Sequence, residues 1–442
     1  MAAKREALRG DELPEIVVPP PGPRSLAAAK RLRRAEGAAV WGADLAPIVW
    51  SRARGSVVVD VDKNRFVDLT SGFGAASLGH SAPEVARAVA SQSRRLTQGL
   101  GDIHPHEMRE KLVRALSNAG GSLSRVLLAS TGSEVVELAL KTATLATGRR
   151  RVVAFEGGYH GEIGAALEVT HSPAPVAALL PNGPSRAIHI PYPDRSRCAV
   201  RRPCDACDLS CLERGWETVE RELRGPDPPG AVIVEPIQGR AGVIIPPAEF
   251  LSRLRAKARA AGMLTIWDEI LTGAGRTGPF WSWERSGAEA EPDLMTAGKG
   301  IGGGVAIGVL FGRPKIMEVW SRHVPASGES PYASTFYAHP LACAGALAAL
   351  KRLTSPEIRA AVAAIERVIR DEFGAVPRDR VRVAGALAAV DGRDKSLFGR
   401  LLARGIITVP GGLSGRTCSL LPAFTIGENQ LRHVLEIIAE EA

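Results

Sequence analysis

The strongest constraint on the fold is a series of short, continuously apolar segments that alternate with helical segments from about residue 107 onwards. Three of them are Val152–Phe155, Ala231–Glu235 and Met263–Trp267. Strands without polar alternation are typical of parallel sheets that helices cover on both faces. The intervening segments have the period of amphipathic helices, as in Glu134–Thr147, which Gly148 closes. The sequence therefore predicts an α/β fold with a mostly parallel sheet and right-handed crossovers.

The two chain ends differ in composition from this central part. Residues 1–40 are rich in Pro, Arg and Ala and include the stiff spacer Pro19–Pro23, whereas the chain after Tyr337 is Ala-rich and helical before a short α+β tail. A chain of 442 residues is expected to form two domains. We predict an N-terminal extension at 1–40, the first part of a small domain at 41–75, a large domain at 76–337 with a cysteine-rich insertion at 194–215, and the rest of the small domain at 338–442.

Local signals predict the boundaries of several elements. Ser81 is a candidate N-cap for a helix that starts near Pro83. A helix at Trp216–Leu223 follows the insertion, and Val381–Val390 is predicted as strand.

The distribution of charged and apolar residues bears on binding to nucleic acid, on membrane insertion and on location in the cell. A formal charge of +9 and a pI near 9.5 suit an anionic partner. The Arg residues are nevertheless dispersed among Asp and Glu, without an aromatic-studded basic stripe, which argues against nucleic-acid binding. No apolar run approaches the about 18 residues of a membrane span, and the start lacks the apolar core of a signal peptide. We expect a cytoplasmic protein.

Four cysteines cluster in the insertion. They are Cys198, Cys204, Cys207 and Cys211. Thiolates at such spacing can bind zinc or an iron–sulfur cluster. No His accompanies them, so inert cysteines in a loop are the preferred interpretation and no metal is expected.

Polar residues follow several predicted strands, at the edge of the sheet where ligands bind. Between a strand and a helix, Ser130–Ser133 offers amides and hydroxyls for a phosphate, although a helix cap at Ser133 explains the same residues. Tyr159 lies in a glycine-flanked loop, where its ring can stack on a flat ligand or belong to a plain turn. Asp268 ends an apolar strand, and a buried carboxylate needs a positive partner. A pyridinium nitrogen would be such a partner.

A glycine-rich loop at Met295–Gly304 carries a single lysine, Lys299. Glycines allow a ligand to approach the backbone closely, and a lysine that loses solvation can form a Schiff base with a carbonyl cofactor. Alone, the loop is equally well a surface turn. Ser334 and Thr335 add hydroxyls that can reach a phosphate. The phosphate cup, stacking ring, aspartate and lysine together indicate a pyridoxal phosphate site.

Six segments, in order, resemble the class III (ω-amino) pyridoxal phosphate-dependent aminotransferases. They are Thr131–Glu134, Phe155–Gly161, Glu235–Gly239, Trp267–Gly278, Pro292–Gly300 and Ser334–Ala344. The resemblance extends from about residue 40 to the end of the chain. It implies fold type I, with a large domain of mostly parallel sheet between helices and a smaller α+β domain formed by both chain ends. It also implies a homodimer with active sites at the subunit interface.

The resemblance also implies a role for particular residues. Lys299 resembles the lysine of the internal aldimine, and Asp268 the partner of the pyridine nitrogen. The implied cofactor-binding set is Thr131, Gly132, Ser133, Tyr159, His160, Glu235, Asp268, Ile270, Lys299, Ser334 and Thr335. Within it Gly132 and Ser133 bind phosphate, Tyr159 and Ile270 face the two sides of the ring, and Thr335 reaches the phosphate in the neighbouring subunit.

The departures from the family pattern concern the substrate side. Arg240 stands where many members have Glu, and Ser419 stands where they have the Arg that pairs with it. Arg240 is either a binding group for an anion or a surface residue. Leu271 and Ala306 replace a common Gln and Pro. With Phe73, we take Arg240 and Ser419 as candidates for the substrate pocket.

We predict transamination between a primary amine and an aldehyde, with an ω-amine or an aminosugar-type specialised metabolite as substrate. Lys299 would act as general acid and base and Asp268 would stabilise the protonated ring. An epimerase, aminomutase or eliminating enzyme with the same cofactor is the alternative, because it needs no second substrate. A non-catalytic binding protein is the third possibility.

Overall fold

The computed structural model describes residues 7–40, 47–171, 186–194 and 207–442, with the single residues 179 and 198. Its central sheet has seven strands, numbered here in chain order. In spatial order they are β4 (Arg125–Ala129), β10 (Gly308–Gly312), β9 (Leu294–Ala297), β8 (Leu264–Asp268), β7 (Ala231–Val234), β5 (Val152–Phe155) and β6 (Ala187–Ile190). Strand β10 is antiparallel to both neighbours, and the other pairings are parallel. The predicted α/β fold with a mostly parallel sheet is confirmed.

The sheet is buried on both faces. In β8, Trp267 packs with Phe155 and Phe250 in one apolar cluster, while its neighbour Ile266 packs with Val135 in another. The helices within the described residues are α1 (Pro23–Ala35), α2 (Pro83–Ser93), α3 (Glu107–Ala119), α4 (Gly132–Thr147), α5 (Gly164–Val169), α6 (Ser210–Leu223), α7 (Phe250–Ala260), α8 (Pro314–Met317), α9 (Pro340–Leu353), α10 (Pro356–Glu372), α11 (Leu397–Ala403) and α12 (Glu428–Glu441).

Two four-stranded sheets are formed by the chain ends. The first contains β1 (Trp50–Arg54), β2 (Val57–Asp60), β3 (Arg65–Asp68) and β13 (Ile406–Ile407). The second contains β11 (Val381–Ala384), β12 (Leu387–Asp391), β15 (Thr417–Leu420) and β14 (Val409–Gly411). Because β13 lies parallel to β3, the C-terminal chain completes a sheet that the N-terminal chain begins.

One turn between β2 and β3 anchors the N-terminal segment. The carboxylate of Asp62 accepts the N–H groups of Arg24 and Ser25 at 2.8 and 2.7 Å, at the first turn of α1. The side-chain oxygen of Asn64 accepts the N–H groups of Val17 and Val18 at 2.8 and 2.9 Å. The predicted spacer at 19–23 therefore lies between two fixed points.

Three local predictions are wrong. Ser81 is not the cap of α2, because its φ of 53° directs the hydroxyl to the carbonyl of Ala53 at 3.0 Å; Ala82 precedes the helix. Helix α6 begins at Ser210, six residues before the predicted start, so the last residues of the predicted insertion are helical. The strand predicted at Val381–Val390 is a hairpin, because Gly385 adopts a φ of 61° between β11 and β12.

The cysteine insertion is described only in part, and Cys204 lies outside the described residues. Cys207 and Cys211 are free thiols. Among the described residues, no group of three or more His, Cys, Asp or Glu side chains is arranged to hold a metal ion. Cys211 is buried on α6, and this burial raises the pKa of its thiol to about 11.

Helices in the described part of the chain fall short of the length and apolar character required to cross a membrane. The cytoplasmic location stays a prediction.

Candidate active site

Asp268 ends β8 at the carboxyl edge of the central sheet and is 3% exposed. Its Oδ2 accepts a hydrogen bond from Nδ1 of His160 at 2.7 Å, and its Oδ1 accepts the hydroxyl of Thr296 and the N–H of Ile270, both at 3.1 Å. Thr296 reaches it because the β8–β9 register sets the two residues side by side. Three donors therefore hold a carboxylate that burial would otherwise disfavour.

His160 is buried behind Asp268. Its Nε2 atom has no hydrogen-bond partner among the described residues. Because Nδ1 faces a carboxylate oxygen, Nδ1 is the donor of this hydrogen bond. His160 is thus oriented by a single strong contact, which is to Asp268.

Lys299 opens a 3₁₀ turn directly after β9, with a φ of 36°. Burial lowers the pKa of its ammonium group, and the positive charge of Arg276 acts in the same direction, whereas Glu235 and Asp268 raise it. The turn is closed by the antiparallel pair Ala297 and Val309. A lysine with a lowered pKa supplies the neutral amine that attacks a carbonyl.

Gly74 allows a second loop to approach this lysine. A side chain at position 74 would begin 3.9 Å from Cδ of Lys299 and only 3.2 Å from Cδ1 of Leu271, and Gly74 has a φ of 83°. Both the conformation and the available space therefore favour glycine. Phe73, next to it, is 67% exposed.

Glu235 links two loops beside the lysine. Its Oε1 accepts the N–H of Tyr159 at 2.9 Å and its Oε2 accepts the N–H of Gly239 at 3.0 Å. Burial is the largest influence on this carboxyl and raises its pKa to about 7. Glu235 therefore positions Tyr159, and its charge acts on Lys299.

The start of α4 forms a cup for an anion. The hydroxyl of Thr131 accepts the N–H of Glu134 at 3.2 Å, so Thr131 is the N-cap, and the alternative that Ser133 caps the helix is wrong. No acceptor for the N–H groups of Gly132 and Ser133 is found in the described part of the chain, as expected for a first helical turn. These amides and the helix dipole favour a phosphate.

Two close approaches shape this cup. A Cβ at Gly132 would lie 3.3 Å from Cδ1 of Ile270, and a Cβ at Gly161 would lie 2.3 Å from Oγ of Ser133. Ser133 also accepts the N–H of Glu162 at 3.4 Å. The α4 start therefore lies against both Ile270 and the loop that carries Tyr159.

Two of the candidate substrate residues, Arg240 and Ser419, lie on neighbouring chain segments. The guanidinium carbon of Arg240 is 4.7 Å from the ring centroid of Tyr159, and its Nη1 donates to Oε1 of Glu162 at 2.9 Å. Ser419 is buried on β15. The N–H of Gly412 on the neighbouring chain segment donates to the Arg240 carbonyl at 3.0 Å, which brings the two candidates to the same side of the molecule.

Ser334 and Thr335 lie on a separate loop. The carbonyl of Thr335 accepts Nε2 of Gln98 at 2.7 Å, and Thr335 is exposed. Within the described residues no hydrogen bond joins either hydroxyl to Gly132 or Ser133.

Some important neighbours are missing from the set drawn from the sequence. Thr296 and Glu162 are two of them, and only strand register and loop packing bring them to Asp268 and Arg240. A third is Arg276, which is 2% exposed and donates to the carbonyls of Ala386 and Pro422 at 3.0 and 2.6 Å. Its place in the Trp267–Gly278 motif was the only available signal.

The residues present fit pyridoxal phosphate. Asp268 is a buried acceptor for a ring nitrogen, Lys299 is the amine for a carbonyl, and the α4 amides with the glycine-lined cup suit a phosphate. The fold and these features define a pyridoxal phosphate enzyme of fold type I.

Comparison with known proteins identifies the family. The family model for class-III aminotransferases matches residues 39–441. The chain is 33% identical to 4-aminobutyrate aminotransferase of Mycobacterium tuberculosis, over 96% of each chain, and 32% identical to acetylornithine aminotransferase of Methanopyrus kandleri, over 89% of this chain and 94% of that one. A solved (S)-enantioselective ω-transaminase from Thermomicrobium roseum is 26% identical, with a TM-score of 0.81 over 94% of this chain and 98% of that chain. The protein belongs to the class III aminotransferase family, whose members depend on pyridoxal phosphate.

Proposed function

We propose that this aminotransferase exchanges an amino group between a primary amine remote from a carboxylate and a carbonyl compound, at a site centred on Lys299 and Asp268. The observation that carries the proposal is the buried Asp268 carboxylate, fixed by three donors, beside a lysine whose pKa burial lowers. The relatives named for 4-aminobutyrate and acetylornithine support an amine of this class. An ω-amine or an aminosugar fits the same description.

The two central residues have distinct tasks. Pyridoxal phosphate, when bound, supplies a carbonyl that condenses with amines and a ring that withdraws electrons. Asp268 holds the ring nitrogen protonated, and His160 and Thr296 hold Asp268 in place. Nζ of Lys299 takes a proton from the substrate carbon and returns it at a second position, and its lowered pKa favours the neutral amine that accepts this proton.

Other residues bind and orient the cofactor. Thr131, Gly132 and Ser133 take the phosphate at the α4 start. Tyr159 and Ile270 would contact the two sides of the ring, and Glu235 fixes the backbone of Tyr159.

We also propose a homodimer in which Ser334 and Thr335 reach the cofactor phosphate of the partner subunit. The support is an apolar surface beside them, which we call the 98–103/334–336 surface. Its large apolar side chains are highly exposed: Leu100 58%, Ile103 66% and Phe336 58%. Exposed clusters of this kind mark interaction sites. A Thr335→Ala enzyme that binds the cofactor as tightly as the wild type, measured by equilibrium dialysis, would contradict the assignment.

The direct test of the function is a spectroscopic half-reaction. The cofactor-loaded protein is mixed with candidate amines, and we expect its absorption to change to that of pyridoxamine phosphate with at least one of them. Failure with every amine would refute transamination. Incorporation of solvent deuterium into the substrate without net amine transfer would instead indicate the epimerase or aminomutase.

A further inference from the structure

Arg240 occupies a position where the family pattern has a negative charge, and its surroundings suit the binding of an anion. Its guanidinium lies over the Tyr159 ring, with 4.7 Å from the guanidinium carbon to the ring centroid. This contact orients the group, so less conformational freedom is lost when it binds a carboxylate. A guanidinium carries five N–H donors in one plane, which suits two-point binding of a carboxylate.

Arg240 is also tied to the reaction centre. The N–H of Gly239, directly before it, and the N–H of Tyr159 both donate to the same buried carboxylate, that of Glu235. His160, directly after Tyr159, holds Asp268. The guanidinium is therefore mounted on two loops that are fixed at the cofactor-binding residues.

Glu162, the ion-pair partner of Arg240, would compete only weakly with a bound carboxylate. The Arg240 and Glu162 side chains are 62% and 52% exposed, and Nη1 lies 2.9 Å from Oε1. Exposed ion pairs of this kind shift an equilibrium by only about two- to fivefold. Glu162 also uses its backbone N–H on Ser133, so the residue stays anchored when its side chain swings away.

We propose that Arg240 binds the carboxylate of one of the two substrates, an oxo acid or the corresponding amino acid, and that Glu162 is the resting partner which this carboxylate displaces. The proposal rests on the aminotransferase function above and specifies one of its substrates as an anion. Ser419 stands where the family pattern has an arginine, and Arg240, whose carbonyl accepts the N–H of Gly412, supplies a positive charge on the same side of the molecule.

The test compares a 2-oxo acid with its methyl ester as amino acceptor for the holoenzyme, because the ester keeps the reacting carbonyl and loses the charge. In Arg240→Gln we expect KM for the acid to rise about 10- to 100-fold, the range for a lost hydrogen bond to a charged group, and KM for the ester to change little. In Glu162→Gln we expect KM for the acid to fall by up to about fivefold. Opposite effects of the two variants would not follow from a general loss of folding.

Arg404→Gln is the matched control, because Arg404 forms partly exposed ion pairs with Glu440 and Glu441 and none of these three residues is a candidate site residue. It should leave both KM values at the wild-type level. A second measurement avoids turnover altogether. Glutarate, a non-reactive dicarboxylate, is titrated into the holoenzyme, and its Kd is obtained from the change in cofactor absorbance. This Kd should rise in Arg240→Gln and fall in Glu162→Gln.

The outcomes separate the two proposals. If amines convert the cofactor but the acid and the ester are affected equally by Arg240→Gln, or if neither acids nor glutarate bind the wild type, the carboxylate site is refuted and the aminotransferase function stands. If no amine converts the cofactor, the proposed function itself is refuted.

Discussion

The contact between His160 and Asp268 allows the sharpest prediction about the site. His160→Leu removes the donor that lies 2.7 Å from Oδ2 of Asp268, a residue that is 3% exposed. The leucine fills the place of the ring with an apolar side chain of similar size. Hydrogen bonds to charged groups contribute about 1.5–3 kcal/mol, and the oxygen left behind is buried and loses its donor. We expect the free energy of unfolding of the cofactor-free protein to fall by about 2–3 kcal/mol.

His160→Asn is the matched variant, because its amide nitrogen can take the place of Nδ1 and keep the donor. It should lose less than about 1 kcal/mol, the smaller cost of a conservative change. Both are measured by urea unfolding followed by tryptophan fluorescence. Pyridoxal phosphate binding provides a second readout, and a less well-held Asp268 should weaken it about 10-fold in the leucine variant, as is typical when a residue that supports a ligand-binding group is lost. Equal stabilities of the two variants would refute the reasoning.

Three further predictions concern buried carboxyls and one glycine. Glu269 is 1% exposed, and burial raises the pKa of its carboxyl from 4.5 to about 7. The folded state therefore binds this proton more tightly than the unfolded state, and the free energy of unfolding falls as the pH rises from about 4.5 to 7. Glu269→Gln should remove up to about 3 kcal/mol of that decline, measured by urea unfolding at several pH values. Glu235→Gln removes a charge that raises the pKa of Lys299, and because burial raises the pKa of Glu235 itself to about 7, this charge is present only above about pH 7. Above that pH, borohydride fixation of the cofactor onto Lys299, followed by mass spectrometry, should increase in the variant; an unchanged profile would contradict the electrostatic role. Gly161→Ala places a Cβ 2.3 Å from Oγ of Ser133 and should weaken both stability and cofactor binding. Gly148→Ala, where φ is also positive (70°) but the space is open, should affect stability alone, as measured by thermal unfolding and by dialysis of the cofactor.

The sequence allowed the central residues to be predicted because their signals are local. Asp268 follows an apolar strand, and Lys299 lies among glycines, so each indicates its environment within a few residues. Their supports depend on tertiary structure. Thr296 reaches Asp268 only through strand register, and Glu162 meets Arg240 across 78 positions of sequence. Sequence spacing contains no such information.

The wrong predictions have a common physical origin. Ser81 has the composition of a helix cap, but its backbone is left-handed and turns the hydroxyl towards β1. In the segment 381–390 the apolar pattern continues through Gly385, whose turn becomes apparent only when both strands pair. In each case the residue types indicate the locally preferred structure, a helix cap or a strand. Tertiary contacts then decide which local structure forms.

The antiparallel strand β10 has a consequence for how this enzyme can diversify. It returns directly alongside β9, so the turn that holds Lys299 is pinned at both ends by paired strands in the middle of the molecule. Arg240, Phe73 and Ser419 are carried by other segments. The strands that hold Lys299 therefore do not include Phe73 or Ser419, and mutations at these two positions can retune the choice of amine without disturbing the paired strands around the reactive lysine.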